Sequence, residues 1–88
     1  MNVHKKHQDV VNRLARIEGH IRGVKRMVEE DKSCPEILLQ LAAVKAALEK
    51  VSRIVFEDHV ETCILKAIKE GTGESAVAEL KEALARYL

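Results

Sequence analysis

The chain has 88 residues, of which 47% are hydrophobic and 33% charged, with a formal net charge of +1. That length allows a single domain over residues 1–88 or one protomer of an oligomer; the hydrophobic share argues for a packed core, and the charged share is too high for a membrane protein. No apolar run approaches the ~20 residues needed to cross a bilayer, and Met1–Lys6 lacks the apolar segment of a secretory signal, so a soluble, cytoplasmic protein with no membrane partner is expected.

Ala, Leu, Glu, Lys and Arg dominate, with one Pro, one Tyr, one Phe and no Trp. This composition predicts an all-α fold. Three helices can be read along the chain. In the first, Val10, Leu14, Ile17, Ile21, Val24 and Val28 are spaced 4-3-4-3-4, one continuous apolar seam over roughly residues 6–30. Glu29-Glu30-Asp31 ends it.

Ser33-Cys34-Pro35-Glu36 matches a capping box, with Pro in the first turn where its missing N–H costs nothing. The second helix then meets no Gly or Pro after Pro35 until Gly71. Its seam is Ile37, Leu41, Val44, Leu48, Val51 and Val55, continuing to Leu65 and Ile68. The third helix is predicted from about Glu74 to Tyr87, with Val77, Leu80 and Leu84 facing inward. A central helix of about 37 residues would be roughly 55 Å long. A compact monomer of this length would be only about 25–30 Å across. The long helix therefore needs a second copy to cover it.

His59 and Cys63 lie at i and i+4, on one helical face, a spacing at which two side chains can share a metal. A surface His beside a half-buried Cys is the plain alternative. Cys34 is the only other cysteine, 25 residues before His59, or roughly 37 Å along one helix. It cannot join the pair within one chain, but it can if two copies of the helix pack antiparallel. The pairing centre then falls near residue 47, where Ala42, Ala43, Ala46 and Ala47 would permit close approach. Helix propensity alone is the other explanation for those alanines. Two thiolates and an imidazole suit Cu(I), with Zn(II) or another soft metal possible if a fourth donor is found. Asp58 and Glu61 are expected on other faces, and Glu79, Glu82 and Tyr87 are candidate outer partners.

Charge is unevenly spread. Residues 5–26 sum to +5 and the rest to −4, which points to an anionic partner for the first third, or simply a solvated helix face. Arg13, Arg16, Arg22, Lys25 and Arg26 are the candidate nucleic-acid contacts. Arg13, Arg16 and His20 flank one side of the seam, while Gly19 and Gly23 lie on the outward face. Two mid-helix glycines cost about 1 kcal/mol each relative to Ala, which close approach of DNA or a neighbouring backbone would offset. For Glu18 and Arg22 a surface i,i+4 ion pair is the favoured reading.

Arg13-Leu14-Ala15-Arg16-Ile17-Glu18-Gly19-His20-Ile21-Arg22-Gly23 resembles the first-helix signature of the copper-sensitive operon repressor (CsoR) family. Ser33-Cys34-Pro35-Glu36-Ile37-Leu38, with Gln40 to Leu48, resembles the start of its second helix, and Asp58-His59-Val60-Glu61-Thr62-Cys63 its ligand box. The resemblance covers nearly the whole chain. It implies a three-helix protomer, an antiparallel dimer and a dimer-of-dimers tetramer that binds operator DNA when metal-free and releases it on ligand binding. It also implies the copper branch's Cys, His, Cys set at Cys34, His59 and Cys63, with Glu79 at the position of an outer glutamate. Ser33 stands where that family often has Tyr. Among the other branches, nickel/cobalt sensors would show His in place of Cys63 and an N-terminal His, a position held here by Asn2, with His4 and His7 nearby. Formaldehyde sensors have an N-terminal Pro, and persulfide sensors lack the His.

The expected function is thus a Cu(I)-responsive transcriptional repressor. The alternatives are a sensor of the same family for another soft metal or thiol-reactive signal, a copper buffer or chaperone without DNA binding, and a helical adaptor with inert thiols. An enzyme is not expected, because no Ser/His/Asp set, Gly-rich phosphate loop or paired acids appear.

Overall fold

The computed structural model describes residues 6–87. Among them all regular structure is helical: α1 (His7–Glu29), α2 (Cys34–His59), a π turn (Val60–Ile64), α3 (Leu65–Lys69) and α4 (Gly73–Tyr87). The all-α class is as expected. The chain divides into two units, Lys6–Val55 and residues 56–87.

The first unit is a helical hairpin. α1 closes with the paired bonds of a Schellman turn: Lys32 N–H donates to the Met27 carbonyl at 3.0 Å and Asp31 N–H to Val28 at 3.1 Å. Asp31 takes the left-handed conformation this turn demands, with φ of 56°, which Asp tolerates better than most side chains. α2 then starts where the capping motif predicts, and Ser33 Oγ accepts the Glu36 N–H at 3.3 Å.

The hairpin core is Ile17, Val24, Val44 and Val51, with Val10, Ile37 and Ala47 packed against it. Within one chain the structure buries only part of each seam. A 4-3 seam is two lines of residues, each repeating every seven. One line of each helix, Val10/Ile17/Val24 and Ile37/Val44/Val51, is used in the hairpin. The other, Leu14/Ile21/Val28 and Leu41/Leu48/Val55, stays 42–55% exposed. Two helices in contact cover only one line apiece. Ala47 is half-buried against the hairpin core, whereas Ala42, Ala43 and Ala46 are exposed. Between the helices His20 Nε2 and Gln40 Oε1 share a hydrogen bond at 2.8 Å.

In the second unit the helix expected to run unbroken to Gly71 is interrupted. Residues 60–64 adopt π geometry, although the backbone remains helical at His59 and at Leu65. α4 packs on α3 and on the π turn, and Ile64 is buried. A second Schellman turn ends α3, with Thr72 N–H donating to Ala67 at 2.8 Å and Gly71 N–H to Ile68 at 3.2 Å. Gly71 takes φ of 81° there. Gly73 is needed for a different reason, since a Cβ on it would lie 2.8 Å from Ile68 Cγ1. Along α4, Leu80 and Leu84 are half-buried as expected, but Val77 is exposed.

Candidate functional site

The three candidate ligands occupy distinct local settings. Cys34 is the first residue of α2 and is exposed. His59 is the last residue of α2, Cys63 lies in the π turn, and both are half-buried. Among the described residues no three His, Cys, Asp or Glu side chains gather into a metal-binding group within the chain. π turns are uncommon and recur at functional sites, and this one contains a predicted ligand.

Asp58 and Glu61 are expected on faces other than the ligands'. Glu61 is exposed, but Asp58 is 4% exposed and is the one buried polar residue among those described. Its Oδ1 accepts the Thr62 hydroxyl at 3.3 Å. Hydrophobic periodicity could not find this pair, since a carboxylate gives no apolar signal. One hint was present: the core-facing series Ile37, Val44, Val51 reaches residue 58 at its next seven-residue step.

Of the outer candidates, Glu79 is exposed on α4. Glu82 forms an ion pair with Arg86 at 2.8 Å, and Tyr87 is exposed. His7 opens α1 and is exposed, while Asn2, His4 and Lys5 lie outside the described residues.

The hairpin unit carries a basic groove of about 190 Å³. Arg13, Arg16, His20 and Lys50 line it over Ile17, Ala47 and Val51. The charge excess of residues 5–26 gives no sign of Lys50, which comes from α2. The signal was its place beside Val51, which shares the core with Ile17. Arg13 is steadied by Asp9, Nε to Oδ2 3.0 Å. Arg22, Lys25 and Arg26 are exposed on α1 and do not line the groove. The expected Glu18–Arg22 pair does not form among the described residues. The Arg22 guanidinium instead lies back over Gly19, 3.6 Å from where a Cβ would stand. Gly23 faces open space.

The chain is similar to known proteins over nearly its whole length. The model of the metal-sensitive transcriptional repressor family matches residues 6–86. The copper-sensing transcriptional repressor CsoR of Bacillus subtilis (strain 168) is 43% identical over 83 residues, 94% of this chain and 82% of that protein. CsoR of Mycobacterium tuberculosis (strain H37Rv) is 37% identical over 79 residues, and the match spans 90% of this chain but 66% of that protein. Among solved structures, the copper-sensing repressor CsoR with Cu(I) from Geobacillus thermodenitrificans NG80-2 aligns with a TM-score of 0.92 at 39% identity, covering 99% of this chain and 92% of that one. The nickel-responsive transcriptional regulator InrS aligns with a TM-score of 0.80 at 53% identity, covering 100% and 99%. The chain therefore belongs to the family of metal-sensitive transcriptional repressors, which are regulators and not enzymes.

Proposed function

We propose that this protein is a Cu(I)-responsive repressor of transcription. In this reading it binds operator DNA in its metal-free form and lets go when the metal is bound. The observation that carries it is the separation of the donors. Cys34 opens α2, whereas His59 and Cys63 sit at its other end, so an antiparallel partner brings Cys34 of one copy to His59 and Cys63 of the other. The exposed lines Leu14/Ile21/Val28 and Leu41/Leu48/Val55 supply the apolar surface that such a dimer, and a dimer of dimers, would bury. The donor set fits the metal, since two thiolates and one imidazole are soft ligands. When bound, Cu(I), a soft acceptor, would link two chains through these donors.

The chain's own residues do the rest. Arg13, Arg16 and Lys50 around the groove, with Arg22, Lys25 and Arg26 on α1, present positive charge to the phosphate backbone. Such contacts give affinity that falls with salt and little base readout. Sequence preference then comes from duplex shape. Drawing Cys34 toward the partner's ligand pair shifts the ends of α2 and, through the hairpin, the basic surface. A coupling of about 1–3 kcal/mol is typical of such linkage, and complete release requires more.

A second reading, a Ni(II) sensor, is favoured by the 53% identity to a nickel-responsive regulator across the whole chain. Ni(II) in a planar site would add a fourth, nitrogen donor, for which His4 and His7, both close to the N-terminus in sequence, are the candidates. One experiment separates these readings: anisotropy of labelled operator DNA titrated with the metal-free protein, then with Cu(I) or Ni(II) loaded. Cu(I) should release the DNA. Release by Ni(II) alone would select the second reading. DNA affinity untouched by either metal would remove the sensor, and no DNA affinity at all would leave a metal buffer.

A further inference from the structure

We infer that Asp58 and Thr62 form a positioning pair that holds the π turn and thereby aims Cys63 relative to His59. Neither residue is one of the proposed ligands. Each stands one position ahead of a ligand, so the bond from the Thr62 hydroxyl to Asp58 Oδ1, 3.3 Å long, brackets the same turn that separates His59 from Cys63. The acceptor is fixed: Asp58 is 4% exposed, and a buried carboxylate is costly to leave without its hydrogen bonds. Thr62 lies within the π segment Val60–Ile64.

The geometry of the turn gives the pair its leverage. On an α-helix residues four apart overshoot one turn by about 40°. A π turn closes on the fifth residue, so the same four residues fall short of a full turn. Whether residues 60–64 are π or α therefore rotates Cys63 about the helix axis relative to His59. A π segment is less favourable than plain α-helix and persists where other interactions select it. A side-chain bond anchored on a buried acid is such an interaction. The hydroxyl of Thr62 is the group that matters, so Ser should serve and Val, which has the same shape, should not.

The metal-binding consequence rests on the proposed function, and the experiment keeps the two apart. Thr62→Val and Thr62→Ser are made in the full chain, alone and in a Cys34→Ala background where Cys63 is the only thiol. In the metal-free Cys34→Ala proteins the rate of Cys63 alkylation is measured, with circular dichroism confirming the fold. Thr62→Val should alkylate severalfold faster as the turn relaxes, and Thr62→Ser should match the parent. In the proteins that keep Cys34, Cu(I) competition against a chromophoric chelator should show about 10- to 100-fold weaker binding for Thr62→Val, the usual cost of losing an outer partner, with Thr62→Ser restoring it. Equal alkylation by the Val and Ser proteins overturns the inference, as does unchanged Cu(I) affinity in Thr62→Val. If the unsubstituted protein binds no Cu(I), the proposed function falls and the alkylation series alone decides the role of the pair. Should Thr62→Val fail to fold, Asp58→Asn replaces it. Asn keeps an acceptor oxygen, so Cys63 should alkylate nearly as in the parent, and a large acceleration would count against a role for the bond itself.

Discussion

The two units of this chain solve the problem of placing functional groups in opposite ways. In Lys6–Val55 two long, regular helices share a core of four buried aliphatic residues, and charge is arranged on the surface of that rigid frame. In residues 56–87 regularity is given up: a π turn interrupts the helix at a predicted ligand, and an acid is buried beside it. A surface that meets phosphates needs only positive charge at roughly the right place. A metal site needs side chains held in narrow geometry. The contrast is the one that the proposed DNA-binding and metal-binding roles would demand.

The largest test of the contrast lies in the hairpin core. Ile17→Ala should cost about 2–5 kcal/mol in urea unfolding, as a buried aliphatic does when truncated. Leu48→Glu changes the exposed line instead, so it should leave the hairpin helical by circular dichroism and separate the copies in sedimentation. If both substitutions merely unfold the chain, the division into an inner and an outer line is wrong.

A smaller effect is expected at the groove. Lys50→Ala should weaken operator binding evenly across sequences and reduce the slope of log affinity against log salt by about 0.9 for each phosphate that Lys50 neutralises. An unchanged slope would take Lys50 out of the interface.

The smallest effects concern the two Schellman turns, one in each unit. Gly71→Ala should cost about 1–2 kcal/mol, because it places a Cβ in the left-handed region. Asp31→Gly should stabilise by up to about 1 kcal/mol, since Asp31 already bears part of that strain. Thermal unfolding of both variants would show the opposite signs.

Much of the hairpin was legible because helix periodicity, the Ser33 cap and the acidic end of α1 are local signals. Which line of each seam faces inward was not legible, since Leu14 and Ile17 are equally apolar and only the partner helix distinguishes them. The left-handed Asp31 was hidden behind a residue type that adopts many conformations. His59 and Cys63 were readable from their spacing, but the π turn between them was not. No residue type marks that geometry, and its clearest structural correlate, the buried Asp58 bonded to Thr62, looks polar and therefore superficial in sequence. Lys50 became visible only when α2 was laid against α1.

A metal site shared between two copies of the chain, as proposed, is tested most directly by mixing. Cys34→Ala and Cys63→Ala proteins, each lacking one thiol, are unfolded together, refolded and titrated with Cu(I). A shared site predicts that the mixture recovers the absorption of the complete two-thiolate site, which neither variant alone can form, at roughly a quarter of the parent's amplitude, because half of the randomly paired dimers rebuild one of two symmetric sites. No recovery on mixing would contradict a site built across the dimer.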